Sequence, residues 1–266
     1  DSILDSVKSG SSFQKHAVLY RMNAQSNAIE NFFARSGVAY KVIGGTRFYD
    51  KPETTFHIPT INSNTIIKVV NLDCLLAAEK LLKEGYHPAV LNMASRQNPG
   101  GGVQTGAGAQ EENLFRRSNL FQSLFQFVPY AEKYGVRKSR FQYPLDRNYG
   151  GIYTPDAIVF RGTEQMGYPL LDNPFQMSFI AVAGINRPAL ASPERIAPEL
   201  VEPVKNKMRT IFRIGLLHHH DSLVLGALGC GAFRNPPAHI ARLFHEVMEE
   251  EEFKNKYKLL VFAILD

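Results

Sequence analysis

The fold is predicted from the stretch Leu91-Asn-Met-Ala-Ser-Arg-Gln-Asn-Pro-Gly-Gly-Gly102 and from Gln110-Glu-Glu112, which follows it after seven residues. The apolar run His87-Pro-Ala-Val-Leu91 is typical of a buried strand. It leads into three successive glycines, a loop of small residues, and two adjacent carboxylates at the start of a predicted helix. This strand–loop–helix unit lies at the centre of a pattern that continues in both directions.

Strands and helices alternate on both sides of this unit. The patterns predict strands at 65–70, 87–91, 157–160, 179–183, 223–225 and 259–265, and helices at 72–84, 110–127, 193–219 and 237–251. A stretch rich in tyrosine, proline and arginine follows the second helix and ends at Pro155. Strands separated by helices imply a mainly parallel sheet that is covered on both faces. The predicted fold class is therefore α/β.

The composition is that of an ordinary globular protein. The chain has 266 residues, 44% hydrophobic and 21% charged, which fits one large domain or one domain with an appendage. It has two cysteines, Cys74 and Cys230, and its sequence shows no secretory signal or membrane-spanning run. We therefore expect a reduced protein of the cytoplasm. The net charge of +5 suits a polyanionic ligand, but a slightly basic protein without such a partner fits it equally well.

The glycines and the two carboxylates have chemical consequences. Gly100, Gly101 and Gly102 allow positive φ angles and a close approach of backbone amides to phosphate or sugar oxygens. Adjacent residues on a helix point about 100° apart, so Glu111 and Glu112 cannot reach the same atom. One can bind sugar hydroxyls while the other addresses a glycosidic oxygen. Burial would raise a carboxyl pKa for acid catalysis, whereas the helix N-terminus would lower it. A flexible loop before a solvated acidic turn explains the same residues equally well.

A second glycine loop follows the strand at 223–225. It reads Gly226-Ala-Leu-Gly-Cys-Gly-Ala-Phe233, and then Asn235 and Pro236 are predicted as the N-cap and first position of a helix. A strand–loop–helix junction of this kind suits a diphosphate. It is not a Walker loop, because no Gly-Lys-Ser/Thr follows, and it lacks the full dinucleotide-binding fingerprint.

Together the two segments resemble the signature of the poly(ADP-ribose) glycohydrolases, a macrodomain family. The residues that carry the likeness are Gly100-Gly-Gly102, Gln110-Glu-Glu112 and Gly226–Phe233, and the surrounding sequence looks like the microbial branch. The likeness covers residues 59–266. It implies a macrodomain-like three-layer α/β/α fold with a mixed, mainly parallel sheet, and a catalytic domain over 59–266.

The resemblance also implies the residues of the site. The implied catalytic residues are Glu112 and Glu111, and the implied substrate-binding residues are Asn98, Gly100, Gly101, Gly102, Gln110, Gly229, Cys230, Gly231, Ala232 and Phe233. Glu112 is the implied acid and base, while Glu111 and Asn98 hold the distal ribose. The loop 229–231 wraps the diphosphate, and Phe233 packs on a ribose.

The implied reaction is hydrolysis of ribose–ribose O-glycosidic bonds in poly(ADP-ribose), which releases ADP-ribose and reverses ADP-ribosylation, as in the DNA damage response. No cofactor and no metal ion are expected. The expected partner is poly(ADP-ribose) or an ADP-ribosylated macromolecule, without membrane contact or direct binding of nucleic acid. Two alternatives stay open: a reader domain that binds ADP-ribose without turnover, and a hydrolase of mono-ADP-ribosylated protein or nucleic acid.

The N-terminal residues resemble a different family. Residues 11–50 have the pattern of a short β-α-β appendage, and Ala17–Ser26 with Gly44–Asp50 look like a piece of the UvrD-type superfamily 1 DNA helicases. The chain has no Walker lysine loop, no acidic magnesium motif and no second motor lobe, which excludes helicase activity. We therefore predict a helicase-like fragment over residues 1–52 without independent activity.

Three further groups have more than one interpretation. They are the histidines His218, His219 and His220, the arginines Arg116 and Arg117, and the tyrosines Tyr143, Tyr149 and Tyr153. The histidines can bind a metal ion, but at a helix C-terminus they are better explained by the helix dipole. The arginines either form a solvated face or contact the polymer. For the tyrosines, packing is favoured over stacking on a nucleotide.

Overall fold

The computed structural model describes residues 64–139 and 142–265, and the predicted N-terminal appendage lies outside these residues. The strands are β1 (Ile66–Val70), β2 (Pro88–Met93), β3 (Gly151–Arg161), β4 (Leu170–Val182), β5 (Leu190–Ser192), β6 (Arg195–Ile196), β7 (Ser222–Leu225) and β8 (Leu259–Ala263). The α-helices are α1 (Cys74–Lys83), α2 (Gln110–Arg117), α3 (Phe121–Leu124), α4 (Pro198–Leu217) and α5 (Pro237–Met248).

Six of these strands form one sheet in the order β1-β8-β7-β2-β4-β3. Each neighbouring pair is parallel except β3 and β4, which are antiparallel and place β3 at the edge. The short strands β5 and β6 form a separate hairpin. The predicted mixed, mainly parallel sheet is thus confirmed.

Helices cover both faces of this sheet. Along β2, Ala89 and Leu91 pack in one hydrophobic cluster with α4 and α5, whereas Val90 packs in the other cluster with α1 and α2. This division follows from the two-residue period of a strand. Burying a side chain such as Val90 or Leu91 stabilises the fold by about 1.5–3 kcal/mol. The result is the predicted three-layer α/β/α arrangement.

The helix predicted over 110–127 is wrong in its length. It ends at Arg117, and Ser118 adopts extended angles of φ −142° and ψ 171°. Ser118 forms an isolated bridge with Val159 of β3, and the Asn119 amide donates to the Ile158 carbonyl at 3.1 Å. Pairing with the edge strand therefore interrupts the helix, which resumes only as the short α3.

Other predicted boundaries also differ from the structure, among them the start of β4, which lies at Leu170 rather than Phe179. The helix predicted at 193–219 begins at Pro198, because residues 190–196 form the β5–β6 hairpin. The Ile196 amide donates to His239 Nδ1 at 3.0 Å, which ties that hairpin to α5. β3 begins at Gly151, within the stretch for which no strand was predicted. Pro155 is tolerated there because β3 is an edge strand whose register shifts between Thr154 and Ala157.

The three histidines at 218–220 directly precede β7, so they lie at the amino ends of β2 and β7. The glycine loops follow the carboxyl ends of the same strands. His220 is 2% exposed. Its Nδ1 donates to the His87 carbonyl at 3.0 Å, so its Nε2 accepts from the Tyr153 hydroxyl at 2.9 Å. Burial lowers the pKa of His220 to about 4. Among the described residues, no group of three or more histidine, cysteine or acidic side chains is placed to hold a metal ion.

We expect the folded state to lose stability below about pH 6.5. The His220 pKa falls from 6.5 in the unfolded chain to about 4 in the fold, so the fold favours the neutral ring. The contribution of the neutral ring to the free energy of unfolding is complete above pH 6.5 and is lost as the pH falls towards 4. About 2 kcal/mol is lost by pH 5. Urea unfolding at pH 7.5 and 5.0 measures it, and His220→Gln should flatten the dependence. His245→Gln, at an exposed histidine of α5, is the control; an equal effect of both variants would contradict the assignment to His220.

Candidate active site

The predicted site residues lie in the loop after β2, in the first turn of α2, and in the loop after the neighbouring strand β7. Because these strands are parallel, their carboxyl ends share one edge of the sheet. The loops touch: a Cβ placed on Gly184, after β4, would lie 3.1 Å from the Gly229 Cα, after β7. The structure therefore brings the two glycine segments to the same end of the parallel strands.

Glu111 is fixed by hydrogen bonds from the loop that follows β2. Its Oε2 accepts from the Ser95 amide at 2.6 Å, and its Oε1 accepts from the Gly100 amide at 3.0 Å and from Asn92 Nδ2 at 3.4 Å. The residue is 3% exposed. Burial raises the pKa of Glu111 to about 7, although the hydrogen bonds act against it and the charge of Glu112 adds a little. The carboxyl group is therefore partly protonated near neutral pH.

Glu112 is held by different backbone amides. Its Oε1 accepts from the Gly102 amide at 2.8 Å, and its Oε2 accepts from the Ala109 amide at 3.1 Å, which caps the first turn of α2. The carboxylates thus bind opposite ends of one loop, as expected for neighbouring helix positions. Glu112 is buried and accepts hydrogen bonds from two backbone amides, whereas Glu111 accepts from three donors.

Gly101 occupies the space in front of both carboxylates. Its φ is +55°, a left-handed conformation that favours glycine. A Cβ at this position would overlap Glu112 Oε1 and lie 3.3 Å from Glu111 Oε2. Gly100 also has a positive φ, +79°. Two of the three glycines therefore have the predicted backbone conformation. Both carboxylates lie against Gly101, which has no side chain to displace them.

Two other predicted site residues have distinct surroundings. Gln110 Oε1 accepts from the Met93 amide at 2.8 Å, and its Nε2 donates to the Leu91 carbonyl at 2.7 Å. Both ends of this carboxamide are thus bound to β2, where they hold α2 against the sheet. Asn98 has an exposed side chain, and its carbonyl accepts from the Gly101 amide at 2.9 Å.

The second glycine loop is closed by Asn235. Asn235 Nδ2 donates to the Ile185 carbonyl at 2.7 Å and to the Gly229 carbonyl at 2.9 Å, so it joins the loops after β4 and β7. The predicted capping role of Asn235 is wrong: Pro236 is the N-cap, and α5 begins at Pro237. The physical reason is that the amide nitrogen of Asn235 is used as a donor to two carbonyls of the neighbouring loops.

The rest of this loop is partly open to solvent. Gly231 and Ala232 are exposed, and Cys230 and Phe233 are half-buried. Burial raises the pKa of the Cys230 thiol to about 11, so the sulfur is protonated at neutral pH and is a poor nucleophile. The exposed backbone at 231–232 and the Phe233 ring leave a surface that a diphosphate and a sugar can approach.

Sequence reasoning gave no role to Asn92 or Ser95, and it favoured packing for Tyr143. Both Asn92 and Ser95 donate a hydrogen bond to Glu111. Asn92 lies near the end of β2, and Ser95 lies in the loop after it. The Tyr143 hydroxyl is buried and has no hydrogen-bond partner among the residues that the structure describes. Its pKa is raised well above its usual value by burial and by the charge of Glu111. No local sequence signal marks Tyr143, because its approach to Glu111 depends on the folded chain.

Known proteins match this chain in sequence and structure. Residues 14–162 match the family described as microbial-type PARG, catalytic domain. Poly(ADP-ribose) glycohydrolase (PARG) from Deinococcus radiodurans, solved with ADP-ribose, is 33% identical over 76% of this chain and 78% of that chain, with a TM-score of 0.60. PARG from Thermomonospora curvata, bound to the inhibitor ADP-HPD, is 34% identical over 76% and 74%, with a TM-score of 0.62.

Other matches cover the whole chain or a short part of it. Another structure of the Thermomonospora curvata PARG matches 100% of this chain and 91% of that chain at 26% identity, with a TM-score of 0.63. The ATP-dependent DNA helicase PcrA of Staphylococcus epidermidis is 41% identical over 51 residues, which are 19% of this chain and 7% of the helicase. Both predicted resemblances are thus found. The family match begins at residue 14, inside the helicase-like segment, and the boundary at residues 52–59 stays a prediction.

Proposed function

The chain belongs to the microbial-type poly(ADP-ribose) glycohydrolase family, and from this premise we propose that it hydrolyses the ribose–ribose O-glycosidic bonds of poly(ADP-ribose) and releases ADP-ribose. The observation that carries the proposal is the buried pair Glu111 and Glu112, held by backbone amides on either side of Gly101. Binding alone does not require two buried carboxylates, whereas acid–base hydrolysis of a glycosidic bond does use them.

In the proposed reaction, Glu112 transfers its proton to the leaving 2′ oxygen as the bond from that oxygen to C1″ of the distal ribose breaks. Positive charge develops on the distal ribose, next to the carboxylates. Glu112, now ionised, accepts a proton from a water molecule whose oxygen bonds to C1″. This restores the acid and leaves ADP-ribose with a free hydroxyl at C1″. The reaction needs neither a metal ion nor a cofactor.

The other residues of the site position the substrate. We assign the distal ribose to Glu111 and Asn98, the diphosphate to the amides of the loop 229–232, and a ribose contact to Phe233. Gln110 contributes indirectly: its carboxamide is bound to β2 and so holds α2, which carries both glutamates, against the sheet. The glycine loop gives its amides to the two carboxylates, and so sets their positions before substrate binds.

One experiment tests this proposal against the alternatives. The purified protein is offered poly(ADP-ribose), mono-ADP-ribosylated protein and mono-ADP-ribosylated DNA, and released ADP-ribose is measured alongside calorimetric binding of ADP-ribose. We expect release from the polymer. Tight binding without release from any substrate would instead support a reader domain, and release only from the mono-ADP-ribosylated substrates would support the third interpretation.

The cellular setting is part of the proposal. None of the helices in the described residues is long and apolar enough to span a membrane. We propose that the protein acts in the cytoplasm, reverses ADP-ribosylation in the response to DNA damage, and contacts nucleic acid only through ADP-ribosylated partners.

We expect the turnover rate to fall as the pH rises above about 7. Burial raises the pKa of Glu111 from 4.5 to about 7, so this carboxyl is protonated below pH 7 and ionised above it. General acid catalysis requires a proton in the site, and Glu111, next to Glu112, supplies one only below this pH. A profile of kcat against pH from 5.5 to 8.5 measures the effect. Glu111→Gln should remove or displace the alkaline limb, and a flat wild-type profile would contradict the prediction.

A further inference from the structure

A second groove lies beside α2, outside the site described above. It is shallow and open, has a volume of about 310 Å³, and is lined by Arg116, Phe160, Arg161 and Tyr168. Arg116 follows Glu112 by four residues, so both lie on the same face of α2, roughly 6 Å apart along the helix axis. The groove therefore begins about one helical turn from the proposed acid.

An irregularity in the edge strand brings two of these side chains together. Neighbouring residues of a regular strand point to opposite faces, yet Phe160 and Arg161 line the same groove. The β3–β4 register shifts between Val159 and Arg161, and such shifts re-aim side chains. Tyr168 has a φ of +57°, a strained conformation that is enriched at functional sites. The wall is thus formed where the end of the β3–β4 hairpin departs from regular strand geometry.

Hydrogen bonds connect this groove to the catalytic carboxylate. Arg116 Nη2 donates to the Ala107 carbonyl, and the Ala107 amide donates to the Gly102 carbonyl at 3.1 Å. The Gly102 amide in turn donates to Glu112 Oε1. On the other wall, Arg161 Nη1 donates to the Tyr168 carbonyl at 3.3 Å. Both guanidinium groups are thereby oriented, and each keeps further N–H donors for a ligand.

The two arginines of this groove differ from Arg117, the next residue of α2. Arg117 is buried and pairs with Asp73 at 2.8 Å, which gives it a structural role. Arg116 and Arg161 form no ion pair within 4.0 Å anywhere in residues 64–139 or 142–265. The nearby Glu164 carboxylate accepts from Asn113 Nδ2 at 3.1 Å. Among the described residues, the groove thus combines two aromatic rings with two cations that lie outside ion-pair distance of any carboxylate.

Guanidinium groups and aromatic rings are the side chains that bind phosphates and stack on bases. In poly(ADP-ribose), the leaving 2′ oxygen belongs to a ribose that also carries an adenine and a 5′ diphosphate. We propose that this groove binds that adjacent ADP-ribose unit, with its adenine against Phe160 and Tyr168 and its phosphates on Arg116 and Arg161. The inference rests on the proposed hydrolase function and deepens it, because a mono-ADP-ribosylated protein has no such unit to place there.

The test compares polymer with ADP-ribose. Arg161 is exposed, so Arg161→Ala removes a cation without removing buried contacts. We expect Arg161→Ala to raise KM for poly(ADP-ribose) about tenfold, to change kcat less than threefold, and to leave the Kd for ADP-ribose unchanged. Phe160→Leu should give a similar rise through loss of the ring, and Arg161→Lys an intermediate one. Arg242→Ala removes an exposed arginine from α5, on the other face of the sheet, and serves as the control.

A binding measurement separates failure of this inference from failure of the proposed function. Binding of fluorescent polymer is measured in a Glu112→Gln background, alone and combined with either Arg161→Ala or Phe160→Leu. A tenfold weakening that is specific to the polymer supports the second subsite even if the wild-type protein shows no turnover, in which case only the proposed function fails. Unchanged KM and unchanged polymer binding in both Arg161→Ala and Phe160→Leu would overturn the subsite and leave the hydrolase proposal standing.

Discussion

Replacing Glu112 by glutamine is expected to lower the rate of ADP-ribose release from poly(ADP-ribose) about 1,000-fold, the usual contribution of a positioned general acid and base. Glutamine matches glutamate in size but cannot give a proton to the 2′ oxygen or accept one from water. Its Oε1 can still accept from Gly102, while its amide nitrogen would face the Ala109 amide and lose that bond. The lost bond costs about 1–3 kcal/mol of stability, less than the usual free energy of unfolding of about 5–15 kcal/mol.

The measurement follows released ADP-ribose by chromatography, together with ADP-ribose binding by calorimetry. We expect binding within a few fold of wild type, because the loss lies in the reaction step rather than in the ground-state complex. Glu199→Gln makes the same chemical change in the first turn of α4, at an exposed position, and should leave the rate unchanged. Release by Glu112→Gln within tenfold of the wild-type rate would refute the assignment.

The parallel variant at Glu111 should have a different signature. Glu111 accepts from the amides of Ser95 and Gly100 and from Asn92, so a glutamine would set its own donors against one of these groups. We expect weaker binding of ADP-ribose as well as slower release. This contrast separates a residue that holds the ribose from one that transfers the proton.

The sequence predicted those parts of the fold that depend on local patterns. The apolar run at 87–91, the glycines and the paired acids locate β2, its loop and the start of α2, since strand period, turn chemistry and helix signals all agree there. The end of that helix was missed, because it depends on pairing of Ser118 with Val159, a residue distant in the chain. The same is true of the start of α4, which a hairpin bound to α5 displaces.

The site was predictable where a motif holds the chemistry and not where the fold supplies it. Glu111, Glu112 and Gly101 belong to one short motif, and their close approach follows from helix geometry and a positive φ. Tyr143 belongs to a stretch without predicted structure, and its proximity to Glu111 is a tertiary feature. Gln110 belongs to the motif, yet only the structure reveals that its carboxamide bonds to β2. Sequence motifs thus located residues that the fold brings close together, while the roles of these residues stay predictions.

Replacing Gly101 by alanine is expected to lower the rate of ADP-ribose release about 100-fold or more without removing any reactive group. The added methyl would overlap Glu112 Oε1, so the carboxylate would have to turn away and give up its bond to the Gly102 amide. Displacing a catalytic group by about 1 Å can cost 100-fold in rate. The φ of +55° adds strain of about 1–2 kcal/mol for a residue with a Cβ, so the melting temperature should also fall.

Gly106 in the same loop separates the effect of strain from that of the clash. Its φ is +86°, and a Cβ there would meet no atom of the described residues within 4 Å, so Gly106→Ala carries the strain without moving a carboxylate. We expect both variants to melt at lower temperature, but only Gly101→Ala to lose activity. Equal losses of activity would mean that loop flexibility, rather than the position of Glu112, limits the reaction. Full activity in Gly101→Ala would contradict the prediction, because it would mean that proton transfer does not need the carboxylate position that Gly101 allows.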